Sequence, residues 1–516
     1  MKNKKYFVYI VRCVDKSLYT GITTDIQRRL REHNGLSRNK KGAKYTRTRR
    51  PVKLVYQKQF NNRPEAMKEE SRIKKLTRKK KEELLNIKNH TMNKQFEDYK
   101  LENGVRVILI PDDRAVAVLA QVLVEAGSAY ENKKNNGISH FLEHMVFKGT
   151  KRRPSTKIIA EEVDGLGGQM NAFTGQEETG YWIKMPSGYG ELAVDLVADI
   201  YLNPLLKQEE INRERGVILQ ELAMYEDLPM RKVEEEFGEL LYGDQPTGWK
   251  IIGTKENIKN MKREDMKKYM EQRYLSKSTV VTVAGNFQVD KIKKQIEKLF
   301  GAKKNNKRKL PKKKTIEKQN SPQIRLTNKE TDQTHLVLGF RSVDMFDSRK
   351  YALSLLSTIL GGGMSSRMFI NIREREGLTY YINTSSELGL DAGVFVVQAG
   401  VAKENLEKAV KLILKEIKKI TNKKVTAKEL RKAKERLKGN VKIGLETIQA
   451  QASFFGNQEL YYGNVETPEE MLAKYEKITA EDIQKVAKFI FKNNRLNLAV
   501  VGPHKDEKKL KKILKV

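Results

Sequence analysis

One cysteine, Cys13, stands in 516 residues. That excludes an internal disulfide and a zinc site built on thiolates. No apolar run reaches the roughly 18 residues that a membrane-crossing helix needs, so no membrane partner is expected. The opening Met-Lys-Asn-Lys-Lys leads into a short strand-like run, Tyr6 to Cys13, without a long apolar core or a small-residue cleavage site. An export signal is therefore not expected, and the cytoplasm is the expected compartment. Histidine is scarce, at six, and acid is short: 65 Asp+Glu face 101 Lys+Arg, for a net charge of +36. What is present is ordinary for folded domains, with 39% apolar residues, 12 Pro and 34 Gly, which excludes a disordered chain. The length suits two to four domains.

The positive charge is uneven. Residues 1–91 hold 27 Lys+Arg against 8 Asp+Glu, about half of the net charge in under a fifth of the chain. Such density points to a polyanion, DNA or RNA, as the partner of this head.

Two of the six histidines lie together in His140-Phe-Leu-Glu143-His144. Residues four apart share a helix face, so both imidazoles can reach one ion, and Glu143 points to the same side. This is H-x-x-E-H, the reverse of the commoner H-E-x-x-H zinc motif. Phe141, Leu142, Met145 and Val146 supply apolar faces, so the helix is predicted to be buried, with Ser139 or Asn136 as its cap. With no thiol available, the third ligand should be a carboxylate, leaving one position open. Glu221, on a second helical pattern 77 residues beyond His144, is the candidate.

In the head, Tyr6 to Val11 and Leu18 to Ile22 read as a hairpin, and Asp25 as the cap of a helix carrying Arg28, Arg29, Arg31 and His33. Residues 35–51 read as a basic loop, Val52 to Phe60 as a third strand, and Pro64 to about Leu85 as a helix. Tyr9 and Tyr19 on adjacent strands could also be a plain cross-strand aromatic pair. At Val8-Tyr9-Ile10 and Tyr19-Thr20-Gly21 the head resembles the GIY-YIG nuclease family, and the likeness runs over residues 4–86. It implies a phosphodiester site of Tyr9, Tyr19, Arg29, His33 and Glu70, with Glu70 holding one divalent ion. A single carboxylate plus waters suits Mg²⁺. The sequence departs from the family at Ile22, where several relatives carry lysine, so binding of nucleic acid is expected ahead of cutting it.

Beyond a linker at 87–98, where Met92 resembles the start of an independent protein, the chain resembles the M16 metallopeptidases, the pitrilysin or inverzincin family. The motif, Phe147-Lys-Gly-Thr150 after it, and Glu221 in register carry the likeness. It implies Zn²⁺, one per chain, on His140, His144 and Glu221, with Glu143 as general base and Glu214 supporting the site. It implies an edge strand, Asn171-Ala172-Phe173-Thr174, that pairs with substrate backbone. It also implies that Arg373 and Tyr380 reach the site from a second half. That half repeats the first: the strand at 334–340 and helix at 351–360 match those at 116–126 and 138–148. The Gly361-Gly-Gly363 triplet before Arg373 is either a plain loop or a hinge.

The expected fold is α+β: a small α/β head (1–86), then two homologous α+β halves (99–305 and 323–516) forming a clamshell. A Lys-rich segment, 306–322, reads as an exposed linker between the halves. The expected function is a zinc-dependent endopeptidase or oligopeptidase acting on peptides or unfolded protein, as monomer or homodimer, with a head that binds nucleic acid. The alternatives are a nucleic-acid-binding protein or endonuclease whose M16 part is a scaffold, and a non-catalytic peptide-binding protein.

Overall fold

The computed structural model describes residues 6–36, 43–60, 62–78, 80–81, 96–302 and 310–516. Met1–Gln95 and Phe96–Val516 are two separate compact units.

In the first unit, β1 (Tyr6–Arg12), β2 (Leu18–Thr23) and β3 (Lys53–Phe60) pair antiparallel in the order β2-β1-β3. The central strand buries both faces, which explains its β-branched and aromatic composition. Val8 and Ile10 pack with Ala66 and Ile73 of the helix Arg63–Lys74; Tyr9 and Val11 pack with Ile26 and Leu30 of the helix Ile26–His33. Asp25 caps that second helix, accepting from Arg28 N at 3.0 Å, as the sequence predicts.

Two expectations for this unit need correction. The helix expected to run to Leu85 ends at Lys74. Lys74 and Arg78 would be like charges one turn apart, and Thr77 instead opens a new turn by accepting from Lys80 N. The expected loop at 35–51 contains a short helix, Lys44–Arg47. Leu85, Met92 and most of the expected linker lie outside the described residues.

In the second unit, β4 (Glu97–Lys100) already belongs to the fold, inside the span that reads as linker. It forms a hairpin with β5 (Arg106–Pro111). With β6 (Ala117–Val124), β7 (Gln169–Thr174), β8 (Thr179–Pro186) and β9 (Thr279–Gly285), these make a six-stranded sheet in the order β4-β5-β9-β6-β8-β7. A second sheet, β10 (Gln323–Asn328), β11 (Gln333–Arg341), β12 (Thr379–Leu388), β13 (Gly393–Ala402) and β14 (Leu496–Gly502), has the order β10-β14-β11-β13-β12. The two orders superimpose strand for strand from β5 and β10 onward. Each has one parallel pair, β5/β9 and β10/β14, and otherwise antiparallel neighbours. The repeat expected from sequence is this shared topology.

β6 reads Ala-Val-Leu-Ala-Gln-Val-Leu-Val because it, too, is covered on both faces. Val118, Ala120, Val122 and Val124 face the helices of the first half. Leu119 and Leu123 face Ala452, Phe455 and Leu460 of the helix Ile448–Tyr462, which comes from the second half. The converse holds on the other sheet. Val233, Phe237 and Leu241 of the first-half helix Pro229–Tyr242 pack on Val337, Val394, Ala499 and Val501. Each half thus lends a helix to the other.

The expected inter-half linker is not simply exposed. Residues 303–309 lie outside the described residues, but Thr315 is buried, donating its N–H to Asp391 Oδ2 at 2.7 Å. Its hydroxyl also meets that of Thr247 at 2.7 Å. The glycine triplet is packed rather than open at its first member: a Cβ on Gly361 would lie 2.7 Å from Thr384 N of β12.

Among the described residues, no helix is long and apolar enough to cross a membrane.

Candidate functional site

The motif helix Ile138–Met145 buries Ile138, Phe141, Leu142 and Met145 and turns its other face to a cleft. Its cap is neither Ser139 nor Asn136, which corrects the sequence expectation. Buried Glu131, seven residues ahead of the helix, accepts from Gly137 N at 2.7 Å, Ser139 N at 2.8 Å and Asn136 Nδ2 at 3.0 Å. A carboxylate here satisfies the unpaired N–H groups of the first turn and sits at the positive end of the helix dipole.

His140 and His144 aim their Nε2 atoms at one oxygen, Glu221 Oε2, at 3.6 and 3.5 Å. Glu221 comes from the long helix Gln208–Asp227. These three atoms are the one group of three or more potential metal ligands among the described residues, all within 4.8 Å of one another. Tetrahedral ligands at zinc distances lie about 3.3 Å apart, so the spacing is close to what the ion requires. Glu221 Oε2 is buried with no hydrogen-bond partner, as an atom reserved for a cation would be. The residues present therefore fit zinc.

Two of the three ligands are held from behind, while His140 Nδ1 is buried without a hydrogen-bond partner among the described residues. His144 Nδ1 lies 2.8 Å from Glu214 Oε1, so the carboxylate accepts from Nδ1–H and turns Nε2 toward the cluster. Lys148 Nζ binds the other Glu214 oxygen at 2.6 Å. Tyr225, one turn beyond Glu221, donates its hydroxyl to Glu221 Oε1 at 2.8 Å and leaves Oε2 for the ion. The facing imidazoles of His140 and His144, at 3.6 and 3.5 Å, hold the Glu221 carboxyl well below the usual carboxylate range. Burial opposes a charge on His144, but Glu214 and Glu221 outweigh it and lift its pKa to about 9. Without an ion, this carboxylate pair holds a proton that a divalent cation would displace.

Glu143 completes the cluster's open side. Its Oε2 accepts from the Thr174 hydroxyl at 2.5 Å. Thr174 ends β7, the edge strand of its sheet. A cleft of about 470 Å³ is lined by His140, Glu143, Glu221, Ala172, Phe173 and Thr174, and Tyr225 and the segment 247–252 wall its far side. Asn171 does not line it; its side chain accepts from Ala172 N at 2.8 Å.

In the head, Tyr9, Tyr19, Arg29 and His33 come together. The rings of Tyr9 and Tyr19 both meet His33 edge-on, at 5.7 and 5.2 Å between centroids. They are not directly opposite across the strands: Tyr9 faces Gly21 in the register. That glycine is required, because a Cβ there would lie 2.6 Å from the Tyr9 hydroxyl. The second motif's glycine thus makes room for the first motif's tyrosine. Arg29 Nε donates to Tyr9 Oη at 3.2 Å, and Glu32 holds the same guanidinium at 2.6 Å. Glu70 pairs with Lys74 at 2.9 Å and acts on Tyr9 through its charge.

Comparison with known proteins matches residues 106–255 to the insulinase (peptidase family M16) model and residues 260–437 to the peptidase M16 inactive domain. Residues 5–83 match the GIY-YIG catalytic domain. The chain is 33% identical over 406 residues to the uncharacterized zinc protease YmxG of Bacillus subtilis, covering 78% of this chain and 98% of the relative. It is 36% identical over 416 residues to an uncharacterized zinc protease of Rickettsia felis, covering 80% and 99%. The chain belongs to the M16 peptidase family. A solved protease from Helicobacter pylori overlays the M16 fold with a TM-score of 0.73 at 25% identity, covering 79% of this chain and 99% of its own. A peptidase M16 inactive domain from Pseudomonas fluorescens, at 19% identity and the same TM-score, shares the fold.

Within this M16 unit, Arg373 and Tyr380 are not brought to the metal cluster, which corrects the expectation that they reach it. Arg373 stacks on Phe369, 4.7 Å from the ring centroid, and neither residue lines the cleft. Tyr380 is 76% exposed at one end of β12. The other end, Glu387 and Leu388, borders the neighbouring cavity beside Glu177 and Glu178. Seven residues of strand separate the two ends, about 23 Å at the usual rise. Sequence reasoning missed Glu131, Tyr225 and the Thr174–Glu143 bond. Tyr225 had a signal, its i+4 spacing from Glu221. Glu131 lies outside the helix it caps, and its role is visible only in three dimensions.

Proposed function

We propose that residues 96–516 are a zinc-dependent endopeptidase or oligopeptidase. The observation that carries this is the convergence of His140, His144 and Glu221 beside Glu143 and an open edge strand. His140 Nε2, His144 Nε2 and Glu221 Oε2 would hold the zinc, one per chain. When bound, the ion polarises the scissile carbonyl and acidifies an attacking water. Glu143 takes the water's proton on Oε1, because Thr174 occupies Oε2, and then delivers it to the leaving amine. Glu214 keeps His144 in the tautomer with Nε2 bare. β7 receives an extended peptide backbone, with Asn171 giving up its hold on Ala172 N. The M16 family and the zinc-protease relatives support this reading.

Arg373 and Tyr380 would act from a second copy of the chain. The exposure of Tyr380 and its distance along β12 from the cleft favour a homodimer in which each copy completes the other's site.

For the head, the basic charge and the Tyr9, Tyr19, Arg29 and His33 cluster support binding of DNA or RNA and cleavage of its phosphodiester, with Mg²⁺ on Glu70.

The test is zinc content together with cleavage of a quenched peptide library by the full chain and by Glu143→Gln. The variant should keep its zinc and lose hydrolysis by at least the 10²–10⁴-fold typical of a general base. A variant as fast as the parent removes Glu143 from the reaction.

A further inference from the structure

His33 of the head sits in a chain of four hydrogen bonds whose proton inventory favours one tautomer. The Tyr9 hydroxyl lies 2.7 Å from His33 Nε2, and the Thr46 hydroxyl lies 2.8 Å from His33 Nδ1. Thr46 Oγ1 in turn donates to Ala43 O at 3.1 Å. Arg29 Nε donates to the Tyr9 oxygen. Tyr9, His33 and Thr46 are all buried, so solvent does not share in the bookkeeping.

A carbonyl only accepts, and a threonine hydroxyl has one proton. Ala43 O also accepts from Thr46 N at 3.0 Å; with the Thr46 hydroxyl proton on the same carbonyl, the hydroxyl accepts from His33. His33 Nδ1 must then carry a hydrogen. Burial, with Arg29 nearby, depresses the His33 pKa to about 4, so the ring is neutral and has a single N–H. Nε2 is therefore bare and accepts from the Tyr9 phenol. Burial pushes Tyr9 up to about 12, against the influence of Arg29, so at rest the phenol keeps the proton it donates.

We propose that Thr46 is a positioning residue of the head: by accepting from Nδ1 it locks His33 as the Nδ1–H tautomer and so makes Nε2 the acceptor for the Tyr9 proton. This rests on the reading of the head as a phosphodiester site only for its use, not for the tautomer itself. In use, the Tyr9 O–H bond breaks and its proton passes to Nε2. The phenolate is left against Arg29 Nε–H, and the imidazolium keeps its Nδ1–H on Thr46. A serine at 46 can do the same; a valine cannot.

The experiment is nitrogen NMR of the full chain labelled at histidine nitrogen, with His33 assigned by loss of its signals in His33→Gln. Parent and Thr46→Ser should show His33 as Nδ1–H, and Thr46→Val should move it to Nε2–H. An Nε2–H signature in the parent overturns the proposal without need of any Thr46 variant. So does a Thr46→Val protein whose tautomer is unchanged. Metal-dependent nicking of plasmid DNA and cleavage of single-stranded RNA give the second readout. Thr46→Val should lower kcat about tenfold with KM unchanged, and Thr46→Ser should restore it. A chain that cuts neither substrate yet shows the Nδ1–H signature loses the nuclease reading and keeps the tautomer lock, so the two failures are distinguishable.

Discussion

The Thr174 hydroxyl donates to Glu143 Oε2 at 2.5 Å, joining the edge strand to the motif helix. The residue that ends the proposed peptide-binding strand therefore also aims the proposed general base. A bond to a charged group is worth about 1.5–3 kcal/mol. Thr174→Val should lower kcat for peptide cleavage about tenfold or more with zinc content unchanged. Thr174→Ser should keep most of the activity. Parent-level turnover in the valine variant would show that Glu143 is aimed by something else.

In the proposed site Glu214 acts through His144, 2.8 Å away, rather than on substrate. Replacing a carboxylate behind a ligating histidine costs roughly 10–100-fold in metal affinity. Glu214→Gln, which keeps the shape but loses the charge facing His144 and Lys148, should give up zinc to a chelator at correspondingly lower concentration. Equal zinc affinity would leave Glu214 a mere partner of Lys148.

Glu131 predicts an effect on folding. Its carboxylate accepts three N–H bonds at the start of the motif helix, with no water available to replace them. An amide at this position turns one acceptor into a donor facing donors. Glu131→Gln should destabilise the M16 unit by at least about 2 kcal/mol, read from urea unfolding with a Trp182 or Trp249 signal. An unchanged midpoint would mean the helix does not need this cap.

The head should lose stability in mild acid. Burial holds the pKa of His33 at about 4 in the folded protein, against 6.5 ordinarily. Between those values the unfolded chain binds a proton that the folded chain does not. Stability is therefore full above pH 6.5 and falls as the pH drops toward 4, by up to about 1.4 kcal/mol per pH unit. Below pH 4 both states are protonated and this source of loss ends. Hydrogen exchange at the β1 amides, corrected for its intrinsic pH dependence, should show the slope in the parent and lack it in His33→Gln. A pH-independent parent would contradict the buried neutral imidazole.

Much of this architecture was legible because periodicity and spacing survive folding. The four-residue spacing of His140 and His144 puts both rings on one helix face, and the apolar run of β6, broken only by Gln121, announced a strand. What was not legible depends on partners distant in sequence. Glu131 looks like any surface acid until the helix start folds back on it. Thr174 looks like a strand residue until Glu143 arrives across the cleft. Arg373 and Tyr380 are seven apart in sequence, a spacing that does not say whether they meet the cleft of their own chain. The helix expected to reach Leu85 is interrupted after Lys74, and Thr77 opens a further turn by accepting from Lys80 N.

The exchanged helices set an order of events during synthesis. Once residues 96–302 have left the ribosome, every member of the metal cluster has been made. Leu119 and Leu123 on the back of that sheet still face water, because their cover, Ala452, Phe455 and Leu460, is about 150 residues away. At about 5–20 residues per second the wait is roughly 8–30 s. The first half is thus born with its ligands in hand and its sheet bare. It becomes a finished fold only when a helix from the far end of its own chain arrives.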